Sequence, residues 1–121
     1  MPFTEHELTE AVTSAAKTVA GMRQRGLRKR RDSEATWAAL SRYERYQVLD
    51  AVGTQLLPVL LALPDVEVPT GTRPAFTDAQ VLSAVEETLG DAARGLRGKV
   101  VVAARVALVR TALAQLPQRQ D

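Results

Sequence analysis

Apolar residues recur along most of this chain at alternating spacings of three and four, the interval that returns to one face of an α-helix. Leu8, Val12, Ala15, Val19 and Met22 form the first such series. Thr4 and Glu7 precede it as a capping box, and Phe3 and Leu8 hold the positions of a hydrophobic staple, so a helix starts at Thr4. Gly26 is the natural residue to end it, with Met22 and Leu27 placed as the apolar pair of a Schellman ending. The predicted helix covers residues 4–25.

Ser33 caps a short helix over 33–40 that carries Trp37 and Leu40, and Ser41 with Glu44 is a capping box just beyond. Residues 33–40 and 41–63 are therefore either two helices or one. Leu49, Val52, Leu56, Val59 and Leu63 share a face, but Pro58 has no N–H for the Thr54 carbonyl, which predicts a kink between 53 and 58. Residues 64–76, PDVEVPTGTRPAF, hold three of the six prolines and read as a linker. Thr77 with Gln80 is a third capping box, stapled by Phe76 and Val81, and Leu82, Val85 and Leu89 continue a helix over 77–89. The last series, Val102, Val106, Val109, Leu113 and Leu116, gives a helix over about 99–116. Val100 to Val102 also suits a short strand, and the length of the periodicity favours helix. Short connections favour antiparallel neighbours, so the expected fold is all-α, a four- to five-helix bundle in one helical domain spanning 1–121.

The chain also echoes itself. Phe3-Thr4-Glu5-x-Glu7-Leu8-x-x-Ala11-Val12 aligns with Phe76-Thr77-Asp78-x-Gln80-Val81-x-x-Ala84-Val85, and Gly21, Arg25-Gly26-Leu27-Arg28 and Arg30 align with Gly90, Arg94-Gly95-Leu96-Arg97 and Lys99. The two offsets, 73 and 69, differ by about one helical turn, which keeps the same face inward. One explanation is internal duplication of a helix pair, with halves 1–63 and 77–121. The other is convergence, because helix caps select Thr, Glu and Gly wherever they occur; it does not account for the repeated Arg-Gly-Leu-Arg.

Composition narrows the function classes. The 121 residues include 31 Leu, Val and Phe, enough apolar side chains to fold rather than stay disordered. There is no cysteine, which removes disulfides, thiolate nucleophiles and sulfur-ligated metals. The acidic start MPFTEHE does not read as a signal peptide, and the longest uncharged apolar stretch, 51–64, is too short to span a bilayer. A cytoplasmic protein with no membrane partner is expected. Thirteen arginines against three lysines, with no isoleucine or asparagine, suit a GC-rich bacterial coding sequence.

The formal charge of +2 hides a strong polarity: residues 1–10 carry −3, 11–31 carry +7, 32–91 carry −7 and 92–121 carry +5. Arg23, Arg25, Arg28, Lys29, Arg30 and Arg31 crowd into nine positions, and Arg94, Arg97 and Lys99 form a second basic block. Such clusters neutralise phosphates and give salt-sensitive, sequence-independent contact with nucleic acid or another anion. No aromatic residue lies among residues 23–31, so there is no stacking platform for single-stranded bases. A solvated loop with cations favourable to a helix C-terminus explains the same run.

Other chemistry has little to work with. His6 is the only histidine, so no zinc or di-iron set can be assembled, no phosphate-binding Gly-rich loop precedes a helix, and no metal or cofactor is expected. Trp37, Tyr43 and Tyr46 suit core or interface better than a pocket. A helix-turn-helix with residues 105–116 as recognition helix is disfavoured, since 13 of the 17 residues in 100–116 are apolar and the polar four scatter around the wheel. Arg105 or Arg110, if drawn inward, needs a carboxylate such as Glu86, Glu87 or Asp50; the alternative is that both snorkel outward. The helices over 49–63 and 100–116 carry more apolar positions than one buried stripe needs. The function expected is a non-enzymatic protein-interaction or assembly module, with a protein partner or self-association; the alternative is a small nucleic-acid- or anion-binding protein using residues 23–31.

Overall fold

A computed structural model describes residues 3–23 and 33–119. The described residues form five α-helices, α1 (Glu5–Arg23), α2 (Ser33–Ala39), α3 (Arg42–Ala62), α4 (Asp78–Leu89) and α5 (Gly95–Ala114), with a 3₁₀ turn at Gly90–Ala93. The fold is an all-α bundle.

All three sequence-predicted capping boxes close. Thr4 N donates to Glu7 Oε1 at 2.9 Å while Glu7 N donates to Thr4 Oγ1 at 3.1 Å. The Ser41–Glu44 and Thr77–Gln80 pairs repeat that geometry. The box at Ser41 resolves the ambiguity over 33–63: α2 and α3 are two helices, since the extended cap conformation of Ser41 (φ −68°, ψ 165°) cannot sit inside one. Arg45 ties the pair together, donating from Nε to the Trp37 carbonyl and from Nη2 to the Ala38 carbonyl. Pro58 lies within α3, which runs through it to Ala62.

The core lies where α1, α3, α4 and α5 meet. Leu56, Val59, Leu60, Val81, Val85 and Val109 are its largest fully buried side chains. α3 buries the widest arc and contacts α1, α4 and α5. On α1 the buried apolar positions are all alanines, Ala11, Ala15, Ala16 and Ala20, with Leu8, Val12 and Val19 packed on the flanks. Small side chains at the centre of a contact stripe let helix backbones approach closely. The expected Schellman pair is not described as such: Gly26 and Leu27 lie outside the described residues, and Met22 is 56% exposed rather than on the packed face.

The C-terminal helix starts four residues earlier than its periodicity predicts. Gly95, with φ 75°, opens α5, and Gly98 lies inside it. A Cβ at Gly98 would stand 2.3 Å from the Ala93 carbonyl carbon and 2.4 Å from its oxygen, so the 3₁₀ turn can press on α5 only at a glycine. Val100 to Val102 are helical. α4 and α5 pack antiparallel, with Asp78 paired to Arg110 at one end and Leu82 and Glu86 facing Val102 and Ala103 toward the other. This hairpin is not the crossed arrangement of a helix-turn-helix.

Residues 64–76 have no helix or strand, as expected of a linker, yet they are strapped down. Pro69 to Thr72 form a turn, the Thr72 amide donating to the Pro69 carbonyl and Gly71 supplying the positive φ (85°) of a type II turn. Gly71 N donates to the Arg119 carbonyl at 2.6 Å and Arg119 N to the Thr72 carbonyl at 2.7 Å. Phe3 and Phe76, equivalent positions in the sequence echo, meet in a tilted ring contact with centroids 5.7 Å apart. The second echoed block diverges in structure: Gly21 lies within α1, whereas its counterpart Gly90 caps the end of α4.

Candidate interaction surface

α5 divides into two faces by position. Gly98, Val109 and Ala112 are buried, and Val102, Val106 and Leu113 pack on the core around them. On the opposite side Leu96, Val100, Ala103 and Ala107 repeat at spacings of four, three and four, so they form one line along the helix. All four are exposed, Leu96 by 83% and Val100 by 70%. A helix apolar on both faces has been given one core to fill and a second face that the described residues leave exposed.

Two shallow grooves flank this ridge. One, between α4 and α5, is lined by Leu82, Glu86, Lys99, Val102, Ala103 and Val106 among others. The other, where the end of α1 and the middle of α3 meet α5, includes Met22, Val52, Gln55, Ala104 and Leu108. Arg105 closes the edge of the second, its Nη1 reaching the Gln55 carbonyl at 3.5 Å. Neither Arg105 nor Arg110 enters the interior. Arg110 pairs with Asp78 at the surface, a partner set by the antiparallel α4–α5 packing and not one of the three acids suggested by sequence.

The basic residues fall into two groups. Arg25, Arg28, Lys29, Arg30 and Arg31 lie outside the described residues, and Arg23 is the last residue of α1. Arg94, Arg97 and Lys99 are exposed at the start of α5, where Arg94 forms a 3.5 Å ion pair with Asp91. The end of α1 lies beside Ala104 and Leu108, further along α5 than this block. Trp37 packs half-buried against the core, whereas Tyr43 and Tyr46 are exposed. His6 is exposed, and among the described residues no group of three His, Asp or Glu side chains could hold a metal ion. No helix among them is long and apolar enough to cross a membrane.

One buried polar contact is structural and was not legible in the pattern. Glu7, only 3% exposed, accepts from Arg119 Nη2 at 2.6 Å and Nε at 3.2 Å, a bidentate pair between residues 112 apart in sequence. Burial alone would push the Glu7 carboxyl up, but the bonds from the Arg119 guanidinium and the Thr4 amide outweigh it and hold the pKa below the ordinary glutamate value. One carboxylate thus caps α1 and anchors the C-terminal tail, whose backbone in turn holds the 69–72 turn. The ridge on α5 did carry a sequence signal, the second 4-3-4 series out of phase with the core series, masked by the fact that both are apolar. Comparison with family models, curated proteins and solved structures gives no match for this chain.

Proposed function

We propose that this chain is a non-enzymatic, cytoplasmic interaction module that engages another polypeptide through the outer face of α5. The observation that carries the reading is the uncovered apolar line Leu96–Val100–Ala103–Ala107, continuous with the Leu82 side of the α4–α5 groove. Large exposed apolar side chains aligned on one regular element are what a binding face requires and what a free surface avoids. A photo-cross-linking amino acid placed at Leu96 in living cells should give polypeptide adducts that are lost when Val100→Glu is added. The same probe at Gln47, exposed on α3, should give none of them. Identical adducts at both positions, or none at Leu96, would overturn the reading.

A second reading rests on the charge run, seven basic side chains and no acid in residues 11–31. It assigns that tract to salt-sensitive contact with nucleic acid or another polyanion. Retention of the purified protein on duplex DNA or RNA should then fall steeply with salt and fall again on reversal of Arg28, Arg30 and Arg31. Retention that ignores salt or the reversal removes this reading.

A further inference from the structure

We propose that the face of α5 is covered by the same face of a second copy of this chain, the two helices antiparallel about a two-fold axis. The inference rests on the reading of that face as an interaction surface and names its occupant. Shape is the first argument. The large side chains of the ridge, Leu96 and Val100, stand at its N-terminal end; the next two positions of the line, Ala103 and Ala107, and Ala104 beside them are exposed alanines, and Arg110 beyond them is tied to Asp78 of α4. One end is raised and the other is hollow. An antiparallel copy lays the raised end of each helix over the hollow end of the other. With Leu96 over Ala107 of the second copy, the even rise of a helix brings Val100 over Ala103 of the second copy, and symmetry repeats both contacts. A parallel copy would set Leu96 and Val100 against themselves and leave the alanines facing a gap. The 4-3-4 spacing is also that of a seam into which a second helix packs knobs into holes.

Charge is the second argument. Glu86 and Lys99 both line the α4 side of the ridge, and neither forms an ion pair within its own chain among the described residues. A two-fold axis across antiparallel helices keeps the α4 side of one copy over the α4 side of the other. Lys99 of each copy therefore crosses to the flank that carries Glu86 of its mate, and opposite charges meet twice. A generic apolar partner would leave both unpaired at the rim.

The absence of native cysteine allows a direct test. Leu96→Cys and Ala107→Cys chains, purified separately, mixed in equal amounts and oxidised, should form the mixed 96–107 disulfide several-fold faster than either 96–96 or 107–107. Sedimentation should show a wild-type dimer and a Val100→Glu monomer of unchanged helix content. Glu86→Lys and Lys99→Glu should each weaken the dimer several-fold, and the double exchange should restore it to within about twofold. Dominant 96–96 cross-linking, or a wild-type chain that stays monomeric throughout, overturns the second copy as occupant. In that case the interaction reading still stands or falls on the adducts formed at Leu96 in cells: adducts with a different polypeptide retain it, and no adduct removes it.

Discussion

Glu7→Gln isolates one interaction cleanly, because the fold contains its own control. Gln80 occupies the same position in the Thr77 box and makes both box bonds, at 2.8 and 3.1 Å, so a glutamine at position 7 keeps the cap of α1. What it removes is the charge that Arg119 grips from two nitrogens, and it turns an amide N–H₂ toward one of them. Hydrogen bonds to a charged group contribute about 1.5–3 kcal/mol, against roughly 1 for neutral ones. The Glu7 side chain is 4% exposed but the Arg119 side chain is 31% exposed, so water screens part of the gain. The expected loss at pH 7 for Glu7→Gln is about 1–2 kcal/mol, a fall in Tm of about 4–8 °C for a domain of this size. Thermal and urea denaturation with matched m-values measure it. Because the folded-state pKa of Glu7 lies below the ordinary 4.5, the stabilisation is fully present above that value and is lost as pH falls through the folded pKa. The wild-type and variant stabilities should therefore differ by a constant amount above about pH 5.5 and converge in acid. Arg119→Ala should destabilise in the same direction and add little on the Glu7→Gln background. A variant as stable as wild type at pH 7, or a difference that persists undiminished at pH 3, would refute the bridge.

Three further expectations follow from packing. Gly98→Ala should destabilise by about 1–3 kcal/mol, since a methyl forced against the Ala93 carbonyl outweighs the roughly 1 kcal/mol that alanine usually gains in a helix; a gain in Tm would mean the turn does not press on α5. Thr36→Val should stabilise by about 1 kcal/mol, because the Thr36 hydroxyl is buried with no hydrogen-bond partner among the described residues and valine keeps its shape; a loss in urea denaturation would show that the hydroxyl is satisfied. Leu96→Glu should leave the unfolding midpoint of the dilute protein within about 0.5 kcal/mol of wild type, as expected for an exposed position away from the core; a large fall would place Leu96 in the monomer's own packing.

Local signals carried the helices because each acts over a single turn. A Thr or Ser three residues before Glu or Gln states where a helix begins whatever packs on it, and the boxes at Thr4, Ser41 and Thr77 all form. Periodicity likewise selected the inward face of α5, where Val102, Val106, Val109 and Leu113 enter or border the core, as does Leu116 just past the end of the helix. It failed at the start of that helix. Gly95 and Gly98 read as breakers by propensity, yet Gly95 supplies a left-handed entry and Gly98 a point of close approach, roles set by the neighbouring 3₁₀ turn. Met22 fits its series on paper but is exposed, at the rim of the groove between α1, α3 and α5.

What the sequence determined by itself is therefore the set of elements and their inward faces: an all-α chain, its caps, and the surplus of apolar positions in its last helix. Which surplus stays uncovered is a tertiary outcome. α3 and α5 are both apolar beyond one stripe and each contacts three other α-helices, but α3 buries Val48, Val52, Gly53, Leu56, Val59 and Leu60, whereas α5 buries only Gly98, Val109 and Ala112 and leaves Leu96, Val100, Ala103 and Ala107 exposed. The same holds for Glu7. Its place in a capping box is written in four consecutive residues, but its pairing with Arg119 depends on where the bundle sets down its C-terminal tail. Short-range chemistry is legible along the chain because the partner is a fixed number of residues away; long-range pairing and exposure are not, because they depend on which helix stands next to which.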